Sequence, residues 1–331
     1  MTNNSIQPFV TILTPVYNGA EFLRECIESV LAQDYQRWEY IIVNNRSTDE
    51  TLAIAESYAA KDSRIRVTTN SAFLSMPQNF NNAFGMVSPR SRYFKVVCAD
   101  DWIHPQCLSK MVRFAEENDS VGIIGCYQQS GHQLRWAVLP PSTSVLTGRA
   151  ACRLALLQGL EIFPAPTAAL YRTSLLAGGR PFFPNDHPHS DTSACYEYLQ
   201  RVDFGVVHEV LAVERVHEGQ ITSQIASVAA GDIAYVEALL DYGPRYLAPD
   251  EFSARRVEVL SAYYRGLGRA VLNLRESEFW AFQRRRLAEL GLPLDRRRVA
   301  VACVKVAWEQ MKRPAEALRR ARAAIQHRLC R

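Results

Sequence analysis

A regular alternation of short apolar runs with amphipathic segments over the first 130 residues constrains the fold of this chain most. Helical spacing separates the runs, as in 20–33, where Cys26, Ile27 and Val30 share one face. Such an alternation predicts an α/β fold with a mostly parallel sheet that helices cover on both faces. Five runs have the length and composition of buried strands: 9–17, 38–45, 65–69, 93–99 and 121–127.

The remaining elements are less regular. The S-x-x-E spacing of Ser47 and Glu50 predicts a capping box at the start of a helix. Beyond residue 130 the patterns indicate a helix near 192–202 and a strand near 206–216. From about residue 229 the chain becomes rich in arginine, and its pattern predicts a mostly helical C-terminal region.

Three of the predicted strands end in polar residues or in a turn signal. These ends are 15–18, the pair Asn44-Asn45 and the pair Asp100-Asp101. Ligands of parallel α/β sheets bind outside the carboxyl ends of the strands. We therefore expect the three segments to meet at one edge of the sheet and to form a ligand site.

The pair Asp100-Asp101 has two interpretations when it is considered alone. Adjacent carboxylates repel each other, and a divalent cation such as Mg²⁺ or Mn²⁺ neutralises them well. Alternatively, the pair caps the helix that the pattern predicts after Pro105, since Asp favours the turn before such a helix. The residues by themselves leave both interpretations open.

Several ordered motifs resemble the family 2 glycosyltransferases of the GT-A fold. They are PVYN at 15–18, SVLAQ at 29–33, the strand end VNNRSTDET at 43–51 and the strand end CADD at 98–101. The similarity is clear over 9–130 and looser over 189–199 and 214–222. It implies a GT-A-like catalytic domain at 1–228, with a nucleotide-sugar half at about 1–130 and an acceptor half at about 131–228. The mostly helical, basic region at 229–331 would follow it.

The resemblance also implies a role for individual residues of this sequence. Asn44 stands at the position that recognises the base, and Asp100 at the position that holds the ribose. Asn79 matches a position beside the diphosphate. The residues implied to bind the nucleotide sugar are Pro15, Tyr17, Asn18, Asn44, Asn79 and Asp100.

Metal binding and catalysis are implied at three further positions. Asp101 and His217 match the metal ligands, and Asp191 matches the catalytic base, with Asp186 as the alternative base. The sequence also departs from the family pattern at several places. Cys98 and Ser190 replace acidic residues, and a thiol is a poor ligand for a hard cation. Most of the metal binding would therefore depend on Asp101.

The resemblance implies an inverting, metal-dependent transfer of a sugar from a nucleoside-diphosphate sugar to an acceptor hydroxyl. The acceptor would be a saccharide or a lipid-linked molecule, in the assembly of bacterial surface polysaccharide or glycolipid. Two alternatives stay open: a catalytically impaired module that binds nucleotide sugars, and another nucleotide-dependent transferase. The second would normally have a glycine-rich phosphate loop, and PVYNGAEF contains one glycine.

Charge and cysteine content bear on location and partners. Three features favour the cytoplasm. The eight cysteines form no C-x-x-C pair, the start has no basic or apolar leader, and the chain has no apolar run of 18 residues. The segment 312–331 carries seven Lys and Arg residues and one Glu. As a helix it would either bind an anionic membrane surface, at the inner face of the cell membrane, or pack on the protein. No interleaved aromatic residues favour a nucleic acid partner.

Overall fold

A computed structural model describes residues 7–217, 219–220 and 230–312. The chain divides into two compact units, Met1–Glu218 and Gly219–Arg331. The expected domain boundary at 228 and the division of the catalytic domain near 130 stay predictions.

The first unit is built on one sheet of ten strands. The strands are β1 (Val10–Val16), β2 (Trp38–Asn44), β3 (Ile65–Thr69), β4 (Tyr93–Val96), β5 (Trp102–Ile103), β6 (Val121–Ser130), β7 (Gln133–Arg135), β8 (Val145–Leu146), β9 (Ala169–Arg172) and β10 (Asp203–Glu214). Their order is β3-β2-β1-β4-β9-β6-β10-β5, with β7 beside β6 and β8 beside β10. The five strands predicted in the first 130 residues are confirmed.

Strand direction follows the prediction in the first half of the sheet. β3, β2, β1 and β4 are neighbours and run parallel, and β10 runs parallel to β6. β9 is antiparallel to both β4 and β6. Every residue of β1 is buried. Burial on both faces is what an internal parallel strand with helices on each side requires.

In the described part of the first unit, six α-helices accompany the sheet. They are α1 (Leu23–Leu31), α2 (Thr51–Ala59), α3 (Met76–Phe84), α4 (Cys107–Glu117), α5 (Gly148–Gln158) and α6 (Ser190–Tyr198). Short 3-10 turns at Pro166–Ala168 and Thr173–Leu176 flank β9. The apolar side of α1 is buried, with Cys26, Ile27 and Val30 in the core as the spacing predicted.

The predicted capping box at Ser47 and Glu50 is wrong. α2 begins at Thr51 after Glu50, which makes no side-chain capping bond. The Ser47 hydroxyl instead accepts a hydrogen bond from the backbone N–H of Asn18, and Asp49 accepts the N–H of Thr51. Asn18, which lies 29 positions away in sequence, thus binds the serine that local spacing had assigned to the start of a helix.

The second unit is helical, as the sequence predicted. Its described helices are α7 (Ala230–Tyr246), α8 (Pro249–Leu272), α9 (Ser277–Glu289) and α10 (Arg296–Met311). α8 and α10 pack closely, since a side chain at Gly268 would collide with the backbone of Ala302. Among the helices described here, none has the length and apolarity that crossing a membrane requires. Apart from Lys312, the basic segment 312–331 lies outside the described residues.

Candidate active site

The turn after β1 is joined to the turn after β2 by hydrogen bonds. Asn18 has a positive φ of 49°, and its side-chain oxygen accepts the N–H of Thr48 at 2.8 Å. Its own N–H donates to the Ser47 hydroxyl at 2.9 Å. The N–H of Gly19 donates to Oγ1 of Thr51 at 2.8 Å. Asn18 therefore fixes the two turns at the edge where β1, β2 and β4 end, which we call the carboxyl edge.

Tyr17 presents its ring to solvent at the carboxyl edge. Its exposure is 48%, and its ring meets that of Phe73 edge-on, with 4.9 Å between the centroids. Phe73 is itself 60% exposed. Exposed aromatic rings at a polar edge are suited to stack on a planar or apolar ligand surface. Pro15, by contrast, is buried within β1 beside Val43.

Asn44 lies at the carboxyl end of β2 and is buried, with 1% exposure. Its side-chain oxygen accepts the N–H of Ser47 at 3.0 Å, and its amide nitrogen donates to Oγ1 of Thr69 at 3.2 Å. Each end of the amide thus already has a protein partner. An amide retains one further donor and one further acceptor, so these bonds leave room for a ligand contact.

Asn79 belongs to a buried network of asparagine amides. Nδ2 of Asn70 donates to the side-chain oxygens of Asn45 and Asn79, both at 2.8 Å. Asn82 donates in turn to the side-chain oxygen of Asn70, also at 2.8 Å. The network ties the end of β2 to the residue after β3 and to α3. It makes Asn79 part of the support under the carboxyl edge.

Neither Asp100 nor Asp101 caps a helix, because α4 begins after Gln106. Asp101 is buried, with 7% exposure, and its Oδ2 accepts a hydrogen bond from the Thr167 hydroxyl at 2.6 Å. The backbone N–H of Arg215 donates to its Oδ1 at 3.4 Å. Burial raises the pKa of Asp101 well above its usual range, and the neighbouring Asp100 carboxylate raises it further. A cation beside this pair would relieve both effects.

His217 reaches the same place from the end of β10. Its Nε2 lies 3.3 Å from Oδ2 of Asp100, and its ring packs on Phe22 with 4.7 Å between the centroids. The Arg215 guanidinium lies over the rings of Phe22 and Trp102. The structure therefore brings the Asp100-Asp101 pair and His217 together, although 117 positions separate Asp100 from His217.

The donor set suits a hard divalent cation with open coordination positions. Two carboxylates and an imidazole fit Mg²⁺ or Mn²⁺, which also take phosphate oxygens and water. Within the described ranges, no group of three or more His, Cys, Asp or Glu side chains is arranged so that it could hold a metal ion, so the positions of these three side chains do not by themselves form a metal site. Cys98 precedes the Asp100-Asp101 pair by two positions in the sequence. Burial raises the pKa of its thiol well above the usual range, and Asp101 and Asp100 raise it further. It therefore remains a neutral thiol.

Thr167 has a role in this site that sequence analysis missed. It is fully buried, and its hydroxyl both donates to Asp101 and accepts the backbone N–H of Cys98 at 3.0 Å. Nζ of Lys95, also buried, donates to the carbonyl oxygen of Thr167 at 2.7 Å. Thr167 comes from the 3-10 turn before β9. No local pattern links that turn to the Asp100-Asp101 pair.

Asp191 lies in the first turn of α6, partly buried, and its Oδ1 accepts the N–H of Thr192 at 2.7 Å. Burial raises its pKa, and that hydrogen bond, His189 and His187 oppose the rise. Burial raises the pKa of Tyr171 well above its usual range, and the Asp191 carboxylate adds to the rise. A carboxylate with a raised pKa is suited to accept a proton.

The alternative base, Asp186, is exposed and occupied by other contacts. Its carboxylate accepts hydrogen bonds from the Ser75 hydroxyl and, at 3.4 Å, from Nε2 of Gln78. Ser75 and Gln78 form the capping box of α3. Asp186 therefore fastens a loop to the start of that helix, whereas Asp191 makes no hydrogen bond or ion pair with α3 among the described residues.

Comparison with curated proteins gives glycosyltransferases of bacteria. An uncharacterised glycosyltransferase of Haemophilus influenzae is 32% identical over 120 residues, 36% of each chain. Uncharacterised glycosyltransferase EpsJ of Bacillus subtilis is 36% identical over 137 residues, 40% of this chain and 38% of that protein. One of Rickettsia typhi is 26% identical over 234 residues, 67% of this chain and 69% of that protein. The chain thus matches little more than a third of the length of the first two.

Comparison with solved structures supports the fold. TarS of S. aureus in complex with UDP-GlcNAc has a TM-score of 0.57 and 18% identity, over 77% of this chain and 72% of that one. Mannosyltransferase PcManGT from Pyrobaculum calidifontis, in complex with GDP-Man and Mn²⁺, has a TM-score of 0.56 and 16% identity, over 97% and 85%. PcManGT is a mannosyltransferase by its name, and the similarity to both structures confirms the predicted GT-A-like α/β fold.

Residues 11–178 match Glycosyl transferase family 2 over half of the chain. The matched range contains β1 to β4, the Asp100-Asp101 pair and Thr167. His217 and Asp191 lie beyond it. The family that the motifs resembled is confirmed, and this chain belongs to glycosyl transferase family 2.

Proposed function

We propose that this protein transfers a sugar from a nucleoside-diphosphate sugar to an acceptor hydroxyl. The observation that carries the proposal is the meeting of Asp100, Asp101 and His217 at the carboxyl edge of the parallel strands. Family membership supports it, and so do the nucleotide sugars, UDP-GlcNAc and GDP-Man, in the complexes of two structural neighbours.

The donor would lie along the carboxyl edge. Asp101 and His217 would hold Mg²⁺ or Mn²⁺, which neutralises charge on the departing diphosphate. Mn²⁺ in the PcManGT complex supports this choice of ion. Asp100 would hold the ribose. The remaining donor contacts would come from Pro15, Tyr17, Asn18, Asn44 and Asn79, with Pro15, Asn44 and Asn79 acting from buried positions behind the surface.

Asp191 would take the proton from the acceptor hydroxyl as that hydroxyl attacks the anomeric carbon. A direct attack inverts the configuration at that carbon and forms no covalent intermediate with the enzyme. The partial burial that raises the pKa of Asp191 supports its role as a base near neutral pH. Its position at the start of α6 is consistent with the acceptor half expected at 131–228.

Two variants test the roles of metal ligand and base. Asp101→Asn should abolish the Mn²⁺-dependent stabilisation of the protein by UDP or GDP in thermal melts, together with sugar transfer. Asp191→Asn should retain the stabilisation by nucleotide and lower transfer by about a hundredfold or more. Nucleoside diphosphate release from a panel of nucleotide sugars measures transfer. The anomeric configuration of the product, determined by NMR, shows whether transfer inverts it.

The exposed Asp250 provides a matched control, since Asp250→Asn makes the same chemical change on α8. It should alter neither nucleotide binding nor transfer. Full activity of Asp101→Asn would rule out the proposed metal site. If Asp191→Asn kept full transfer, another residue would have to be the base.

A catalytically impaired module that binds nucleotide sugars is the second candidate. Cys98, whose raised pKa keeps it a neutral thiol beside Asp101, favours it. Stabilisation by nucleotide and Mn²⁺ without release of nucleoside diphosphate from any donor would identify such a module. Steady release of nucleoside diphosphate that is lost in Asp191→Asn would exclude such a module.

We also propose a role in the assembly of bacterial surface polysaccharide or glycolipid at the inner face of the cell membrane. The bacterial relatives and the basic segment 312–331 support this role. The acceptor would then be a saccharide or a lipid-linked molecule. Anionic lipids would attract the segment through its arginines.

A further inference from the structure

A polar cavity lies at the edge of the sheet opposite the candidate active site, where β1 to β4 begin. We call this the amino edge. The cavity has a volume of about 750 Å³. Each of its arginines stands within three residues of the start of β2, β3 or β4. Its charged lining residues are Arg37, Glu39, Arg64, Arg66, Arg90 and Arg92.

The cavity is separate from the candidate active site. β1 runs from the amino edge to the carboxyl edge through seven residues. At about 3.3 Å per residue the two edges are roughly 20 Å apart. A ligand at one edge therefore does not touch the side chains at the other.

Two of the arginines form the wall of the cavity and are already neutralised. Arg64 donates to both carboxylate oxygens of Asp62, and its guanidinium lies over the Trp38 ring at 3.7 Å from the centroid. Arg92 forms an ion pair with Glu116 at 2.9 Å. These contacts fix Arg64 and Arg92 and do not involve the other three arginines of the cavity.

The other three arginines, Arg37, Arg66 and Arg90, are exposed. In the part of the chain that the structure describes, no carboxylate lies within ion-pairing distance of any of them. The guanidinium of Arg90 lies over the Phe9 ring at 3.9 Å, which limits its orientations and leaves its N–H groups available. The cavity therefore presents three positive charges without a counter-ion.

The lining contains a single carboxylate, that of Glu39, which accepts a hydrogen bond from the Thr11 hydroxyl at 2.7 Å. Arg64 and Arg92 are paired with carboxylates outside the lining, so the three remaining guanidinium groups against Glu39 give a formal excess of two positive charges. A concave surface of one sign concentrates the field and attracts ions of the opposite sign.

We infer that this cavity binds a phosphate-bearing anion. Guanidinium groups donate paired N–H bonds to oxyanions, and a phosphate has enough oxygens to take such pairs from more than one arginine. Arg37 directly precedes β2, Arg66 lies in β3 and Arg90 lies three residues before β4, with β1 between β2 and β4. All three line the same cavity, where they would contact one ligand. A free phosphate compound and the headgroup of an anionic lipid share this chemistry.

Binding of inorganic tripolyphosphate to the full chain tests the inference, in a buffer with EDTA that keeps metal from the carboxyl edge. Isothermal titration should show that the triple variant Arg37→Gln, Arg66→Gln, Arg90→Gln binds about tenfold more weakly or worse. Arg201→Gln, the same change at an exposed arginine outside the cavity, should bind as the parent does. Arg66→Gln alone should weaken binding measurably, which keeps the test usable if the triple variant misfolds.

Vesicles separate the two sources of phosphate. Co-sedimentation with phosphatidylglycerol vesicles, against phosphatidylcholine vesicles, should decrease in the triple variant if the ligand is a lipid headgroup. Unchanged co-sedimentation with loss of tripolyphosphate binding would assign the cavity to a soluble phosphate. The inference fails if the parent chain binds neither probe, if the triple variant binds tripolyphosphate normally, or if Arg201→Gln loses as much affinity.

Discussion

At the scale of single residues, the candidate site depends on Thr167, whose side chain takes no direct part in the proposed transfer. Its hydroxyl joins Oδ2 of Asp101 to the backbone N–H of Cys98, while Lys95 holds its carbonyl oxygen. It thereby fixes the carboxylate that we propose as a metal ligand. Groups that orient metal ligands in this way commonly change metal affinity or activity by about 10- to 100-fold when they are lost.

Thr167→Val should therefore weaken Mn²⁺ binding and transfer by about tenfold or more, because valine keeps the shape and removes the hydroxyl. The buried N–H of Cys98 would also lose its partner, at a cost of about 1–3 kcal/mol in the free energy of unfolding. Mn²⁺ titration and chemical denaturation measure the two effects. Thr167→Ser keeps the hydroxyl and should restore metal binding, and equal behaviour of Val and Ser would contradict this role.

At the scale of elements, the strands could be predicted because buried parallel strands are continuous apolar runs. The segments 38–45 and 65–69 were predicted almost to the residue. β2 is internal and buried, whereas β3 is an edge strand that its β-branched residues Ile65, Val67 and Thr69 indicate. The capping box at Ser47 could not be excluded locally, because its hydroxyl is bound by Asn18 on another strand end. Long-range hydrogen bonds decide such residues, and spacing does not record them.

The candidate site was predictable to the same degree. Asp100, Asp101 and His217 belong to recognisable sequence motifs, and the structure brings them together. Thr167 and Phe73 belong to no such motif. Thr167 lies in a 3-10 turn, and Phe73 lies in a loop after β3. Their places depend on how β9 and the loop pack on the sheet. A single sequence contains no signal for that packing.

Close contact between elements depends on Gly148, the first residue of α5. A Cβ atom there would overlap the carbonyl oxygens of Leu199 and Val202, which follow α6. Because backbone atoms cannot move aside as a side chain does, Gly148→Ala should lower the free energy of unfolding by about 3 kcal/mol. Urea denaturation measures it. Gly231→Ala, where nothing lies within 4 Å, should change it by less than about 1 kcal/mol, and equal effects would contradict this packing argument.

At the scale of the whole molecule, the parallel strands of the first unit separate two kinds of site. The carboxyl edge gathers carboxylates, amides and an imidazole, whereas the amino edge gathers arginines. The polarity follows from topology, since parallel neighbours place all their starts at one edge and all their ends at the other. An anion at the amino edge and a metal-bound nucleotide at the carboxyl edge would therefore occupy different ends of the same strands.

Hydrogen exchange on the full chain should resolve the two edges. UDP or GDP with Mn²⁺ should protect the segments at the carboxyl edge, 16–20, 44–48 and 99–103, because bound ligand suppresses local opening there. Tripolyphosphate in EDTA should instead protect the segments at the amino edge, 7–9, 36–39, 63–66 and 90–92. Asp101→Asn should remove only the first pattern, and the triple arginine variant only the second. Protection of both edges by either ligand alone would contradict the separation, since it would mean that one ligand stabilises the whole unit or occupies both sites.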